Sequence, residues 1–154
     1  MLKKTILISF FLLTLSCGYE AIHSKKNSID YNFSVSSINF QGDRDINLKI
    51  KQKFNNYILT KKDKKFILDV RSVSEKIVTA KDPAGDPTDF ENITTTEVEV
   101  YIGVDLKRKI KIKKSFKYSN STNKFDLKNY ERQLKTNLAE TISDELIFKL
   151  SNIR

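Results

Sequence analysis

One cysteine and two clusters of basic residues are the groups in this chain whose types and spacing could do chemistry. Cys17 closes an N-terminal run in which Met1-Leu2-Lys3-Lys4 is a short positive region and Thr5 to Leu15 is apolar. An apolar stretch of that length is a signal-peptide core, too short to span a bilayer as a helix. Ser16-Cys17-Gly18 follows, a small residue and then a thiol where a signal peptidase would cut. The expectation is export, cleavage before Cys17 and lipidation of its thiol, with several acyl chains making a stable membrane anchor. Thr14 and Leu15 stand where a lipoprotein signal usually carries a branched aliphatic and a small residue. Two other readings of Cys17 therefore stay open. Thr14 and Ser16 fit ordinary secretory cleavage, and an odd cysteine can form an intermolecular disulfide. Gly18 is not the aspartate that retains lipoproteins in the inner membrane of enteric bacteria, so outer-membrane sorting is allowed.

The basic clusters are Lys61-Lys62-Asp63-Lys64-Lys65 and Lys107-Arg108-Lys109. Arg108 can hold a phosphate through two parallel hydrogen bonds, with the lysines acting as point charges. Lys62, Lys64, Lys107, Arg108 and Lys109 are accordingly the candidate phosphate or glycolipid contacts. The plainer alternative is that they solubilise turns in a lysine-rich chain. The net charge is +9, and removing Lys3 and Lys4 with the signal segment leaves the mature chain near +7. That excess suits nucleic acid, anionic lipid or a polyanionic glycolipid. Export removes nucleic acid as a natural partner.

Catalysis has few groups to draw on. The single histidine, His23, falls in a polar stretch where nothing rigid would orient it, so a His-dependent triad is not expected. No histidine–cysteine metal set can be assembled. Asp82/Asp86 and Asp89/Glu91 lie in or beside a Pro/Gly loop and lack calcium-loop spacing. Glycines stand only at 18, 42, 85 and 103, which leaves no Gly-rich phosphate loop. A non-enzymatic protein without cofactor or metal is expected.

The elements that must position these residues follow from periodicity. Segment 1–16 is the signal peptide, 17–30 a lipidated polar tether, and 31–154 a single domain. Tyr31–Phe40 reads as a strand whose apolar phase changes at Ser36-Ser37, the mark of a bulge. Asp45 can cap a helix carrying Ile46, Ile50, Phe54 and Ile58 at four-residue spacing to about Leu59. Phe66, Leu68 and Val70 open a second strand, and Asp82–Pro87 is a loop. Val98, Val100, Ile102, Val104 and Leu106 share one face of a third strand, and Ile110, Ile112, Phe116 and Tyr118 one face of a fourth. Centring their turn on Arg108 pairs Val104 with Ile112, Val100 with Phe116 and Val98 with Tyr118. Asp105–Lys111 and Glu99–Lys117 then become outward ion pairs, with Lys107-Arg108-Lys109 at the tip. Asp126 can cap a long helix striped by Tyr130, Leu134, Leu138, Ile142, Leu146 and Leu150.

The result is an α+β fold: a β-α-β-β-β-α sandwich with two helices packed on a four-stranded mixed sheet. The first two strands should be parallel. Both basic clusters should then converge at one end of the sheet.

On these residues the chain resembles the LptE family of LPS-assembly lipoproteins. The resemblance is carried by Cys17-Gly18-Tyr19, by the element order and by Thr94–Val104. It continues in Tyr130-Glu131-Arg132-Gln133-Leu134 and in the stretch from Leu138 to Leu146. It implies an outer-membrane, periplasm-facing lipoprotein that plugs the LptD β-barrel, assists its assembly and binds LPS in transit. The rival expectation is a stand-alone periplasmic lipoprotein that binds an anionic ligand or peptidoglycan.

Overall fold

The computed structural model describes residues 31–58 and 60–153, and within them the expected order holds. Cys17, His23, the signal segment and the tether lie outside the described residues. The elements are β1 (Ser34–Gly42), α1 (Arg44–Ile58), β2 (Lys65–Lys81), β3 (Pro87–Ile102), β4 (Asp105–Ser119) and α2 (Lys124–Ser151). The strands lie in the order β1-β2-β3-β4, with β1 parallel to β2 and the other pairs antiparallel. This is the mixed α+β sheet that the periodicity predicts.

Alternation explains which face the helices cover. Phe66, Leu68, Val70, Val98, Val100, Ile110 and Ile112 are buried on one side. They meet Ile46, Ile50 and Phe54 of α1 and Ile142, Leu146 and Leu150 of α2, all buried. Each such side chain contributes about 1.5–3 kcal/mol relative to exposure. The phase change in β1 is a real bulge: Val35 pairs with Phe66, Ser37 with Ile67, and Ser36 is the extra residue.

Both predicted helix caps move outward by two or three residues. Asp43, not Asp45, caps α1, its Oδ1 accepting from the backbone N–H of Asp45 and Ile46. Asn123, not Asp126, caps α2 by accepting from the N–H of Phe125 and Asp126. In each case the predicted residue sits in the first turn, where its charge still suits the helix dipole.

The β3–β4 register corrects the sequence reading. The strands turn at Gly103-Val104, so Ile102 pairs with Asp105, Val98 with Ile110 and Thr96 with Ile112. Val104, Phe116 and Tyr118 therefore do not meet the partners expected of them, and Leu106 belongs to β4 rather than to β3. Gly103 has φ +62°. A glycine at the first central position gives the type II′ turn whose twist matches the strands, which a loop centred on Arg108 lacks. Glu99 instead pairs with Lys109 and Glu97 with Lys111, leaving Asp105–Lys111 and Glu99–Lys117 unmade.

Beyond Gly42, which pairs with Ser72, β1 stops and the other three strands continue alone. The helix side of this extension is covered by the start of α2 through Phe90, Tyr118, Leu127 and Leu134.

Candidate functional site

Register places the two basic clusters. One row across the sheet runs Ser37, Ile67, Tyr101, Leu106. Lys65 pairs with Ser34 just outside that row, on the same side as the Gly103-Val104 turn. The segment carrying Lys62 and Lys64 and the start of β4 thus reach one end of the sheet, with β3 between their strands. Lys107, Arg108 and Lys109 do not form the hairpin tip that a turn centred on Arg108 predicts. They form the first basic run of β4, directly behind the tip, because the turn falls at Gly103.

These candidates differ in what already holds them. Lys64 Nζ donates to the Ile153 carbonyl at 3.0 Å, and its own carbonyl accepts the Ser34 N–H at 2.8 Å. Lys64 therefore ties the chain end to β1. Lys62 is half-buried and also engaged. Lys109 Nζ lies 2.5 Å from Glu99 and Lys107 Nζ 3.6 Å from Asp105. Arg108 is exposed and makes no ion pair among the described residues, so its guanidinium is open to an anion.

The sheet face without helices is the feature that apolar periodicity could not announce. It forms a groove of about 790 Å³ over all four strands. Asn39 and Gln41 come from β1, Asp69 and Arg71 from β2, Glu97 and Glu99 from β3, and Lys109 and Lys111 from β4. Period-two alternation puts every one of these polar residues on the same side.

The groups answer one another. Asn39 Nδ2 donates to Asp69 at 2.7 Å, and the Tyr101 hydroxyl donates to Glu99 at 2.6 Å. The hydrogen bond from Lys111 holds the Glu97 carboxyl below the usual range, and the one from Lys109 does the same for Glu99. Accepting from Tyr101 also lowers Glu99 and raises the phenol. Alternating strand signs had pointed to charge pairing here, but not to these partners.

Among the described residues no group of histidine, cysteine or carboxylates is arranged to hold a metal ion. No described helix is long and apolar enough to cross a membrane.

No family model and no curated protein matches the sequence. Solved structures do match in three dimensions. Rare lipoprotein B from Shewanella oneidensis superposes with a TM-score of 0.55 at 12% identity, covering 75% of this chain and 97% of its own. The fold is shared with bacterial lipoproteins. A minor lipoprotein from Acinetobacter baumannii gives 0.53 at 11% identity, with 76% and 94% covered. Lipoprotein B from Nitrosomonas europaea, described as uncharacterized, gives 0.53 at 10% identity, with 77% and 83% covered.

Proposed function

We propose that this chain is a lipoprotein of the outer membrane, anchored through Cys17 and facing the periplasm, that plugs an LptD-like β-barrel. In that position it assists the assembly and transport of LPS. The observation that carries the reading is the helix-free sheet face. An exposed sheet face in a free-standing protein needs only to be wet, whereas here four strands present ordered amide, mixed, acidic and basic columns. Such a surface suits the polar interior of an outer-membrane barrel, whose lumen side chains alternate with lipid-facing ones.

The fold shared with three lipoproteins and the signal segment ending at Cys17 support the same reading. LPS contact falls to the basic end, where Arg108 offers the open guanidinium and Lys62, Lys64, Lys107 and Lys109 add positive potential.

The test is to purify tagged full-length protein from detergent-solubilised native outer membranes and identify what remains bound by mass spectrometry. A large β-barrel recovered in near-equal amount is the expected result. Recovery of the acylated protein alone would replace the plug with a stand-alone lipoprotein.

A further inference from the structure

We propose that the β3–β4 hairpin tip is a wedge that inserts into the anionic phospholipid leaflet to which the chain is tethered. The inference extends the lipid-anchor part of the reading above and does not need the barrel.

The tip breaks the usual turn chemistry. The second central position of a type II′ turn is commonly small or polar, yet here it is Val104, 95% exposed. Leu106 is 45% exposed and Ile102 36%. A bulge at Lys107 arranges them. Val100 pairs with Arg108, but the next pair is Tyr101 with Leu106, so Lys107 is the extra residue. Without that bulge Leu106 would oppose Ile102 on the helix side. With it, Leu106 moves to the bare side while Ile102 stays on the other. The tip therefore carries apolar side chains at its apex and on both faces, and its one carboxylate, Asp105, lies 3.6 Å from the Lys107 ammonium, which suits insertion into a medium rather than packing against one protein surface.

Cations sit just behind. Lys107, Arg108 and Lys109 begin roughly 10 Å from the apex by strand rise, the depth at which phosphates lie above a shallow insertion. Arg108 faces the helix side and Lys109 the bare side; Lys107 and Lys109 sit beside Asp105 and Glu99, so the cation open to a phosphate behind the wedge is Arg108. Anionic headgroups attract such residues near the surface.

The chain's entry point makes the phospholipid leaflet the occupant. β1 begins at Ser34, level with Lys65 and the hairpin tip. Ser34 lies seventeen positions beyond Cys17, a reach of at most about 60 Å when fully drawn out. Standing the domain on its opposite end would use nearly all of that, since β2 alone has 17 residues and spans roughly 55 Å. The end at which the chain enters the domain is the wedge end.

The experiment uses the absence of tryptophan from the sequence. Full-length Val104→Trp carries a single reporter at the tip, and Phe125→Trp carries one at the opposite end, where α2 starts. Each is mixed with vesicles of phosphatidylethanolamine and phosphatidylglycerol bearing brominated acyl chains. The tip reporter should shift to the blue and be quenched, and the Phe125→Trp reporter should not. Unacylated Cys17→Ser protein should show the same contrast, with vesicle affinity falling about tenfold on Val104→Asp. Adding Lys107→Ala and Arg108→Ala should weaken it further and flatten its salt dependence.

A tip reporter that stays unquenched on vesicle-bound acylated protein overturns the proposal. So does quenching only when LPS is in the vesicles, or a blue shift that tracks protein concentration without lipid, which would make the tip a contact between copies. The mass of the N-terminal peptide reports separately on acylation at Cys17. Failure of the anchor is thus distinguishable from failure of the wedge.

Discussion

Lys76 on β2 sets its ammonium 2.6 Å from the Glu131 carboxylate on α2. The same Glu131 oxygen accepts the Tyr118 hydroxyl at 2.9 Å, and Lys76 Nζ lies 3.8 Å over the Phe90 ring. Three strands of the extension and the first half of α2 are thereby clasped at one carboxylate. The clasp matters because β1 and α1 do not reach this part of the sheet.

Glu131→Gln should lower stability by about 1 kcal/mol, read from the urea midpoint with the slope unchanged. The cost is modest because Lys76 is partly exposed and can return to water. Burial first, and then the hydrogen bond and charge of Glu131, push the Tyr118 phenol well above its ordinary value of 10.0. Stability should accordingly fall as pH climbs past 10, where the unfolded chain releases a proton the folded one keeps. In Glu131→Gln, ultraviolet titration should find Tyr118 ionising at lower pH, still elevated by burial. An unmoved phenol would mean that the carboxylate does not hold it.

The β3–β4 register makes a charge-exchange prediction. Glu97→Lys alone places like charges opposite Lys111 and should destabilise, and adding Lys111→Glu should recover the loss. Under a turn centred on Arg108, Lys111 would face Asp105, and the second substitution would recover nothing. Thermal melts of the two single variants and the double variant decide between them. Glu97 and Glu99 both have lowered carboxyl pKa values, with Lys111 and Lys109 the first causes. Their contribution is present above the unfolded value and is lost as pH falls below about 4.5 through the folded values.

Where the sequence was legible, apolar spacing and packing agreed. Ile46, Ile50 and Phe54 mark α1, Leu134 to Leu150 mark α2, and Ser36 marks the β1 bulge. Length and register were less legible. The middle of β3 shows no apolar alternation because the buried positions between Phe90 and Val98 are Asn92, Thr94 and Thr96. They are satisfied across the ladder: Ser74 donates to Asn92 at 2.9 Å, Thr94 donates to Ser74, and the Ser72 and Thr96 hydroxyls meet at 3.3 Å. A buried polar strip reads as loop until its partners are known. At the hairpin, parity admitted both registers, and Gly103 rather than the apolar pattern chose between them. The groove was hidden for a related reason, since its residues are conspicuous only once four strands lie side by side.

Gly42 should tolerate no side chain. It has φ +87°, and a Cβ there would lie 2.1 Å from the Ser72 carbonyl oxygen. That carbonyl also accepts the Asp43 N–H at 2.8 Å, so it cannot withdraw without loosening the start of α1. Gly42→Ala should cost about 3 kcal/mol or more, combining left-handed strain with a backbone clash. Gly103→Ala, at φ +62° with open space around it, should cost about 1 kcal/mol. Equal losses in urea unfolding would show that the close approach to Ser72 is not what fixes Gly42.

Asp43 does two jobs, and different substitutions should separate them. Its Oδ1 caps α1, while Oδ2 lies 2.7 Å from Lys135 on α2, a lysine that Asp45 also approaches at 3.3 Å. Asp43→Asn keeps a good capping group and removes the charge, for an expected loss of about 1 kcal/mol. Asp43→Ala removes both and should lose about 2 kcal/mol. Burial works against the Lys135 ammonium, but the hydrogen bond and charge of Asp43, followed by those of Asp45, outweigh it and raise its pKa. Stability from this pair is therefore complete below the unfolded value of 10.5 and lost as pH rises through the folded one. Asp43→Asn should begin its alkaline decline at lower pH than the parent. Because Tyr118 titrates identically in both proteins, subtracting the two stability curves isolates Lys135. A difference that stays flat through the alkaline range would leave Asp43 a helix cap and nothing more.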